Sequence, residues 1–279
     1  MWPKPTPRGK GRGRNGVYQF VEPLAWQGLH VLMDGLRHWL QRRTIRRLRP
    51  VVIGGCARSG TSLLLSVLSA HPRLVAIPYE TQLLCPGAYW PPAGGIAVPD
   101  VDRLYDLLSG LHRPRGCRAW CEKTPRNVLN FEAILETFGR RARLVHIVRD
   151  GRDVVLSRHP KKPDDFWVSP ERWVGDVQAG LLWREHPQVL TVRYEDLVED
   201  LQSTIHRLCE FLSLEHDARL LDYPRHAQVR ESDSWFEPAR PLSAKSIGRW
   251  RLSENAVRVQ QLLEEPGAIR LLGEFGYDV

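Results

Sequence analysis

The chain has 279 residues and a formal charge of +8, long enough for one large domain with a sizeable core and short for two independent ones. Residues 1–50 carry eleven of the forty Lys and Arg residues against only Glu22 and Asp34, and the rest of the chain is close to neutral. The basicity therefore belongs to an N-terminal appendage, which argues against a nucleic-acid binder and leaves nucleic acid out of the expected partners.

Five scattered cysteines, Cys56, Cys85, Cys117, Cys121 and Cys209, form no disulfide framework in a chain of this length and point to a reducing, cytoplasmic setting. Cys117 and Cys121 have no second Cys or His pair at ligand spacing, so no metal site is expected.

Residues 1–16, MWPKPTPRGKGRGRNG, have little to bury and predict a disordered basic tail. Over 17–49, Leu29, Leu32, Met33, Leu36, Trp39 and Leu40 fall at helical spacing, and Arg42, Arg43, Arg46, Arg47 and Arg49 follow them. This predicts an amphipathic helix with a basic end. Glu22, Pro23, His30, Asp34, Arg37 and His38 interrupt it too often for a membrane span or a signal peptide. Two placements fit equally: peripheral contact with a membrane surface, or packing on the body of the domain.

From residue 50 strand-like and helix-like stretches alternate. Strands are expected at 50–56, 73–77, 117–123, 142–149 and 188–197. Helices are expected at 60–70, 101–110, 127–138, 151–159, 169–185 and 201–213. Strands separated by helices of this length predict an α/β domain over 50–279, a P-loop-type three-layer sandwich with a central parallel sheet flanked by helices. Ligands of such sheets sit beyond the carboxyl ends of the strands.

Gly55-x-x-x-x-Gly60 has the spacing of a phosphate-binding loop, but Thr61 stands where an ATP-binding loop has lysine, and Arg58 lies inside the loop. Glycines let backbone wrap an anion, and the N–H groups from Ser59 to Ser62 add donors at a helix start. The missing lysine argues against a nucleotide kinase. A kinase with a degenerate loop, a non-catalytic membrane- or polyanion-binding protein on the same fold, and a plain glycine turn remain as alternatives.

Further along, RLVHIVRDGRDVVLSRH closes a strand with Arg149 and places Ser157 eight residues on, inside the next expected helix. The two side chains can converge on one phosphate, the guanidinium with paired donors and the hydroxyl with a third. Arg-Asp-Gly-Arg-Asp turns also occur as solvated corners.

Together the two motifs resemble the sulfotransferase family, whose members use 3′-phosphoadenosine 5′-phosphosulfate (PAPS) and release adenosine 3′,5′-bisphosphate without a metal. In that family a [KR]-S-G-T-[TS] loop holds the 5′-phosphosulfate, here Arg58-Ser59-Gly60-Thr61-Ser62 with Gly55 before it. A strand-end arginine and a serine eight later hold the 3′-phosphate, here Arg149 and Ser157. VRYEDL at 192–197 matches the segment whose tyrosine, here Tyr194, lies near the adenine. The family's C-terminal Gly-x-Trp loop corresponds to Gly248-Arg249-Trp250, with Lys245 just before it. The resemblance runs from about residue 50 to 277 and is nearest the bacterial and Golgi-like branch that includes the tyrosylprotein and heparan sulfotransferases.

Sulfuryl transfer needs a base for the acceptor and cations at the departing oxygen. Arg58 is one cation by its place in the loop. Lys123, in WCEKTPRN, is the second, since similar Glu-Lys-Thr-Pro segments recur in that branch. The branch uses a glutamate soon after its second strand, and HPRLVAIPYETQLL puts Glu80 there, so Glu80 is the expected base. His71, His112, His146 and His159 are expected to be structural or peripheral. Leu63 replaces an aromatic residue common in cytosolic members. Gln82 replaces the arginine of the tyrosylprotein segment, so a peptide acceptor is not supported. Segments 82–118 and 159–173 are candidate acceptor walls, the second through Phe166 and Trp167, and the expected acceptor is a lipid, a glycan or a small metabolite.

Overall fold

A computed structural model describes residues 35–36, 39–87, 97–159, 162–228 and 241–278. The expected tail at 1–16 lies outside the described residues, as do most of the expected helix at 17–49 and part of the 82–118 wall. Gln41–Val279 forms one compact unit.

Five parallel strands make the central sheet: β1 (Arg49–Gly55), β2 (Leu74–Ala76), β3 (Ala119–Lys123), β4 (Arg143–Val148) and β7 (Val189–Arg193), in the order β2-β3-β1-β4-β7. Register is set along β1, where Val51 stands opposite Cys121 of β3 and Arg143 of β4. Alternate side chains of a strand go to opposite faces. Val52 accordingly joins Trp120, Leu144, Phe131 and Ile134 in one layer, while Val51 and Ile53 join Leu64, Leu65, Leu68, Val145 and Ile147 in the other. Helices cover both faces, so β1 reads as a continuous apolar run because neither side meets water. The domain is the expected three-layer α/β sandwich.

Local chemistry starts the helices. The Asp100 carboxylate accepts the Arg103 amide at the head of Val101–Ser109, and Ser169 caps Pro170–Leu181 with Pro170 in the first turn. Asp200 caps Leu201–Leu212 through the Ser203 amide. Each cap satisfies a donor that has no partner inside the helix.

Three expected elements differ. The 151–159 helix is one turn, Gly151–Val154, after which the chain enters a two-stranded antiparallel hairpin of β5 (Arg158–His159) and β6 (Lys162–Phe166). Ser157 therefore follows the helix, and its carbonyl accepts the Trp167 amide across the mouth of the hairpin at 2.8 Å. The 188–197 strand stops at Arg193, and Tyr194–Glu199 is helical because Glu195 and Asp196 favour a helix N-terminus over an edge strand. The 127–138 helix begins as a 3-10 segment, Pro125–Asn130, before the α-helix Phe131–Phe138. Two further helices, Ala256–Leu263 and Ala268–Glu274, close the chain.

The described end of the 17–49 segment divides in two. Leu36, Trp39 and Leu40 are about half exposed, whereas Ile45 and Leu48 are core residues. Arg42 pairs with Asp102 and Asp106 of helix Val101–Ser109. The residues after 40 thus belong to the body of the domain. Among the described residues no helix is long and apolar enough to cross a membrane.

Candidate active site

All five sheet strands deliver a candidate residue at or just beyond their carboxyl ends: the 55–62 loop after β1, Glu80 after β2, Lys123 at the end of β3, Arg149 after β4 and Tyr194 after β7. The strand order brings these ends together.

The first loop is wound tightly. Gly60 has φ 92°, and a Cβ there would collide with the Tyr194 ring, so the position needs glycine for conformation and for space. Arg58 holds φ 70° although it carries a side chain, the kind of backbone strain that gathers at ligand-binding turns. The Ser59 hydroxyl is fully buried and, among the described residues, has no hydrogen-bond partner.

Arg149 joins the first loop to the C-terminal loop. Its guanidinium donates to the Arg58 carbonyl at 3.1 Å and to the Ser246 carbonyl, and lies 4.4 Å from the centre of the Tyr194 ring. The Tyr194 hydroxyl is 2.7 Å from Ser246 Oγ. Asp153 then fastens the loop beyond: its carboxylate accepts the amides of Gly248 at 2.7 Å and Trp250 at 3.1 Å, and its carbonyl accepts Arg249 Nη2 at 3.1 Å. Trp250 lies against the guanidinium groups of Arg152 and Arg251. The Arg-Asp-Gly-Arg-Asp turn is therefore no solvated corner, since Arg149, Asp150, Arg152 and Asp153 are all buried. Burial pushes the Asp153 carboxyl pKa up, and the donated amides pull it back.

Three guanidinium groups gather beside the first loop. Burial, then Arg149 and Arg249, push the Arg58 pKa down; burial, then Arg149, do the same to Arg249. Charges that disfavour one another's charged forms at such a place make a ready anion site.

On the other side of the loop the Lys123 ammonium donates to Glu80 Oε1 at 2.6 Å and to Ser62 Oγ at 2.7 Å. Lys123 and Glu80 are nearly buried, so this ion pair is shielded from solvent. The expected base, the second expected cation and the start of helix Thr61–Ser69 thus form one chain of contacts.

The remaining candidates are placed less centrally. Ser157 is buried, but among the described residues no side-chain hydrogen bond joins it to Arg149. Lys245 is exposed in the short turn Ala244–Ser246. Thr61 is buried at the first position of its helix. His71 is held at both ring nitrogens, by the Glu215 carbonyl and the Arg73 amide, and His146 is enclosed in the core. In the 159–173 wall, Phe166 sits against Arg158 and Arg258, whereas Trp167 stacks on His159 at 4.4 Å and lies 5.9 Å from the Arg58 guanidinium carbon.

Sequence reasoning missed Glu122, Asp153 and Ser246. Asp153 offered a signal as the last member of the charged turn, and Glu122 as a carboxylate inside a strand-like run. Ser246 opens the SIGRWR run of the C-terminal loop, though nothing there marked its carbonyl and hydroxyl as partners of Arg149 and Tyr194.

The model of the "Sulfotransferase family" matches residues 50–91 and 101–218. Rat sulfotransferase 2A1 is 30% identical over 156 residues, 48% of this chain and 52% of the relative, so the chain spans about half the length of that protein. A putative protein-tyrosine sulfotransferase of Caenorhabditis briggsae is 24% identical over 225 residues, 72% of this chain and 80% of the relative. Among solved structures, the sulfotransferase domain of the Synechococcus PCC 7002 olefin synthase superposes with a TM-score of 0.55 at 19% identity, covering 84% of this chain and 96% of that domain.

Proposed function

The chain belongs to the sulfotransferase family, and from that premise we propose that it transfers a sulfuryl group from PAPS to a hydroxyl or amine of an acceptor, releasing adenosine 3′,5′-bisphosphate. The observation that carries this reading is the convergence of Arg58, Arg149 and Arg249 at the first loop, where Arg149 bridges the Arg58 and Ser246 carbonyls and Arg249 is held on the Asp153 carbonyl, a concentration of positive charge that suits a nucleotide with phosphate at both ends. The buried Ser59 hydroxyl beside the cluster, without a hydrogen-bond partner among the described residues, fits the same ligand.

In this reading Gly55 and the amides and hydroxyls of Arg58–Ser62 hold the 5′ end, Arg149 and Ser157 the 3′-phosphate, and Tyr194 borders the adenine. The loop containing Lys245, Gly248, Arg249 and Trp250 closes over the nucleotide, with Asp153 fixing its backbone. Bound PAPS supplies an activated sulfuryl group and a phosphate leaving group. Glu80 takes the proton of the acceptor hydroxyl, and Lys123 and Arg58 oppose the charge that grows at the leaving oxygen. The Lys123 contacts with Glu80 and Ser62 support this division, because one ammonium touches both the base and the first loop.

The acceptor is proposed to be a lipid, glycan or small-molecule hydroxyl, with Trp167 near Arg58 as part of its wall. Peripheral membrane contact is proposed for the segment before residue 41, supported by the exposure of Leu36, Trp39 and Leu40. Removing residues 1–40 should then release the protein from anionic vesicles; unchanged partitioning rejects that part.

The transferase reading is tested by thermal shift and by turnover of labelled PAPS against a set of acceptors. Adenosine 3′,5′-bisphosphate should raise Tm by mass action and 5′-AMP much less. Equal shifts by the two nucleotides count against the 3′-phosphate site, and magnesium-dependent ATP turnover without bisphosphate binding counts against the reading as a whole.

A further inference from the structure

Two neighbouring residues of β3 carry opposite charges to opposite faces of the sheet. Lys123 reaches Glu80 and Ser62. Glu122 turns into the layer built from Val52, Trp120 and Phe131, where it is fully buried and, among the described residues, has no cation paired with it. A carboxylate in that position is costly unless its oxygens are filled with donors.

They are filled, half from Thr81 and half from Thr124 and Asn127. Glu122 Oε1 accepts the Thr81 amide at 3.3 Å, the Thr81 hydroxyl at 2.8 Å and the Thr124 hydroxyl at 2.7 Å, and Oε2 accepts Asn127 Nδ2 at 2.7 Å. The two hydroxyls pass the connection on: Thr81 Oγ1 accepts the Leu83 amide and Thr124 Oγ1 the Gln82 amide, both at 3.1 Å. Three consecutive amides, 81 to 83, are thus tied to a single carboxylate directly or through one hydroxyl. Gln82 sits at φ 58°, a left-handed conformation that persists in a non-glycine residue only where the surroundings impose it. Burial pushes the Glu122 pKa up, and the donors from Asn127, Thr124 and Thr81 offset part of that rise.

The residue before this tethered run is Glu80. We infer that Glu122 is a positioning residue for the transfer reaction: through Thr81 and Thr124 it fixes the backbone of residues 81–83 and so holds the Glu80 carboxylate beside Lys123. This rests on the reading of Glu80 as the base. Glu122 touches neither nucleotide nor acceptor and acts through Glu80 alone.

Glu122→Gln keeps the size of the side chain but turns an amide NH2 toward groups that are themselves donors. Loss of a hydrogen bond to a buried charge should lower kcat by about 10- to 100-fold and raise amide exchange at 81–83 by a similar factor. The KM for PAPS and exchange in β1 and β4 should stay unchanged. Thr81→Val should move the same readouts in the same direction, and Thr81→Ser, which keeps the hydroxyl, should restore them. If Glu122→Gln does not fold, this threonine pair decides alone. Wild-type kcat in a folded Glu122→Gln or Thr81→Val variant overturns the inference. Loss of protection throughout the sheet, or a PAPS KM that rises in step with the fall in kcat, overturns it in favour of a purely structural role. Full activity of Glu80→Gln overturns the base assignment, and the positioning role with it, whatever the exchange at 81–83 reports.

Discussion

The guanidinium of Arg149 donates to the backbone carbonyl of Arg58 across 3.1 Å, joining two motifs 91 residues apart in the chain. The first loop and the strand-end arginine are therefore close enough to serve one nucleotide. Arg149→Ala removes both a charge and a fork of donors, worth about 10- to 100-fold in affinity for a phosphate. The Tm rise given by adenosine 3′,5′-bisphosphate should fall to that given by 5′-AMP. A variant that still discriminates between them places the 3′-phosphate elsewhere.

The shielded pair of Lys123 and Glu80 should show strong coupling. Removing one partner of a buried pair leaves an uncompensated charge and costs about 3–5 kcal/mol. Lys123→Met should accordingly lose about 3 kcal/mol in urea unfolding, and adding Glu80→Gln should recover part of it because no carboxylate is then stranded. Strictly additive losses would mean that the pair contributes nothing in solution. Glu80→Gln alone should abolish turnover while adenosine 3′,5′-bisphosphate still shifts Tm.

Asp153 holds the loop at 248–250 through two backbone amides. Asp153→Asn puts a donor where an acceptor is needed, which costs about 1–3 kcal/mol for a buried group. The loss should fall on nucleotide affinity more than on kcat, since the groups Asp153 fixes belong to the 248–250 loop. A rise in PAPS KM and faster proteolysis at 246–251 are the expected results; unchanged values for both contradict the clamp.

His146 gives the fold an acid weakness. It is enclosed on β4 beside Gly180 and Phe275, neither ring nitrogen has a hydrogen-bond partner among the described residues, and burial pushes its pKa down to about 3. Below its ordinary value of about 6.5 the unfolded chain takes up a proton that the folded chain refuses. Its contribution is thus complete above that value and drains away as pH falls toward 3, by about 1.4 kcal/mol per unit. Between pH 7 and pH 5 the wild type should lose about 2 kcal/mol more than His146→Leu in denaturant unfolding. Parallel pH profiles would show that the ring is hydrated or partnered in solution.

The parts of this protein visible in the linear chain are those that short-range geometry dictates. An apolar run entering Gly55, a turn and a helix start marked the anion loop, because a strand-to-helix turn is specified by neighbours within a few residues. Arg149 was visible for the same reason, as the first charged residue after a buried strand. The alternation of strands and helices was enough for a three-layer sandwich. Local signals also misled where a nonlocal contact prevailed: the helix begun at Gly151 stops at Val154 and the chain enters a hairpin at Arg158, because the backbone of Ser157 pairs with Trp167.

Only the tertiary structure decided how these pieces meet. Lys123 reaches Glu80 across 43 residues and Ser62 across 61, contacts that exist because β3 lies between β2 and β1 in the sheet. The strand-like run around Glu122 and the charged turn ending in Asp153 marked both residues, but not that Glu122 would be buried under the 81–83 segment or that Asp153 would clamp a loop some 95 residues away. The physical reason is that burial and pairing belong to surfaces brought together by packing, and a residue's own neighbours in the chain carry little record of which surface will cover it.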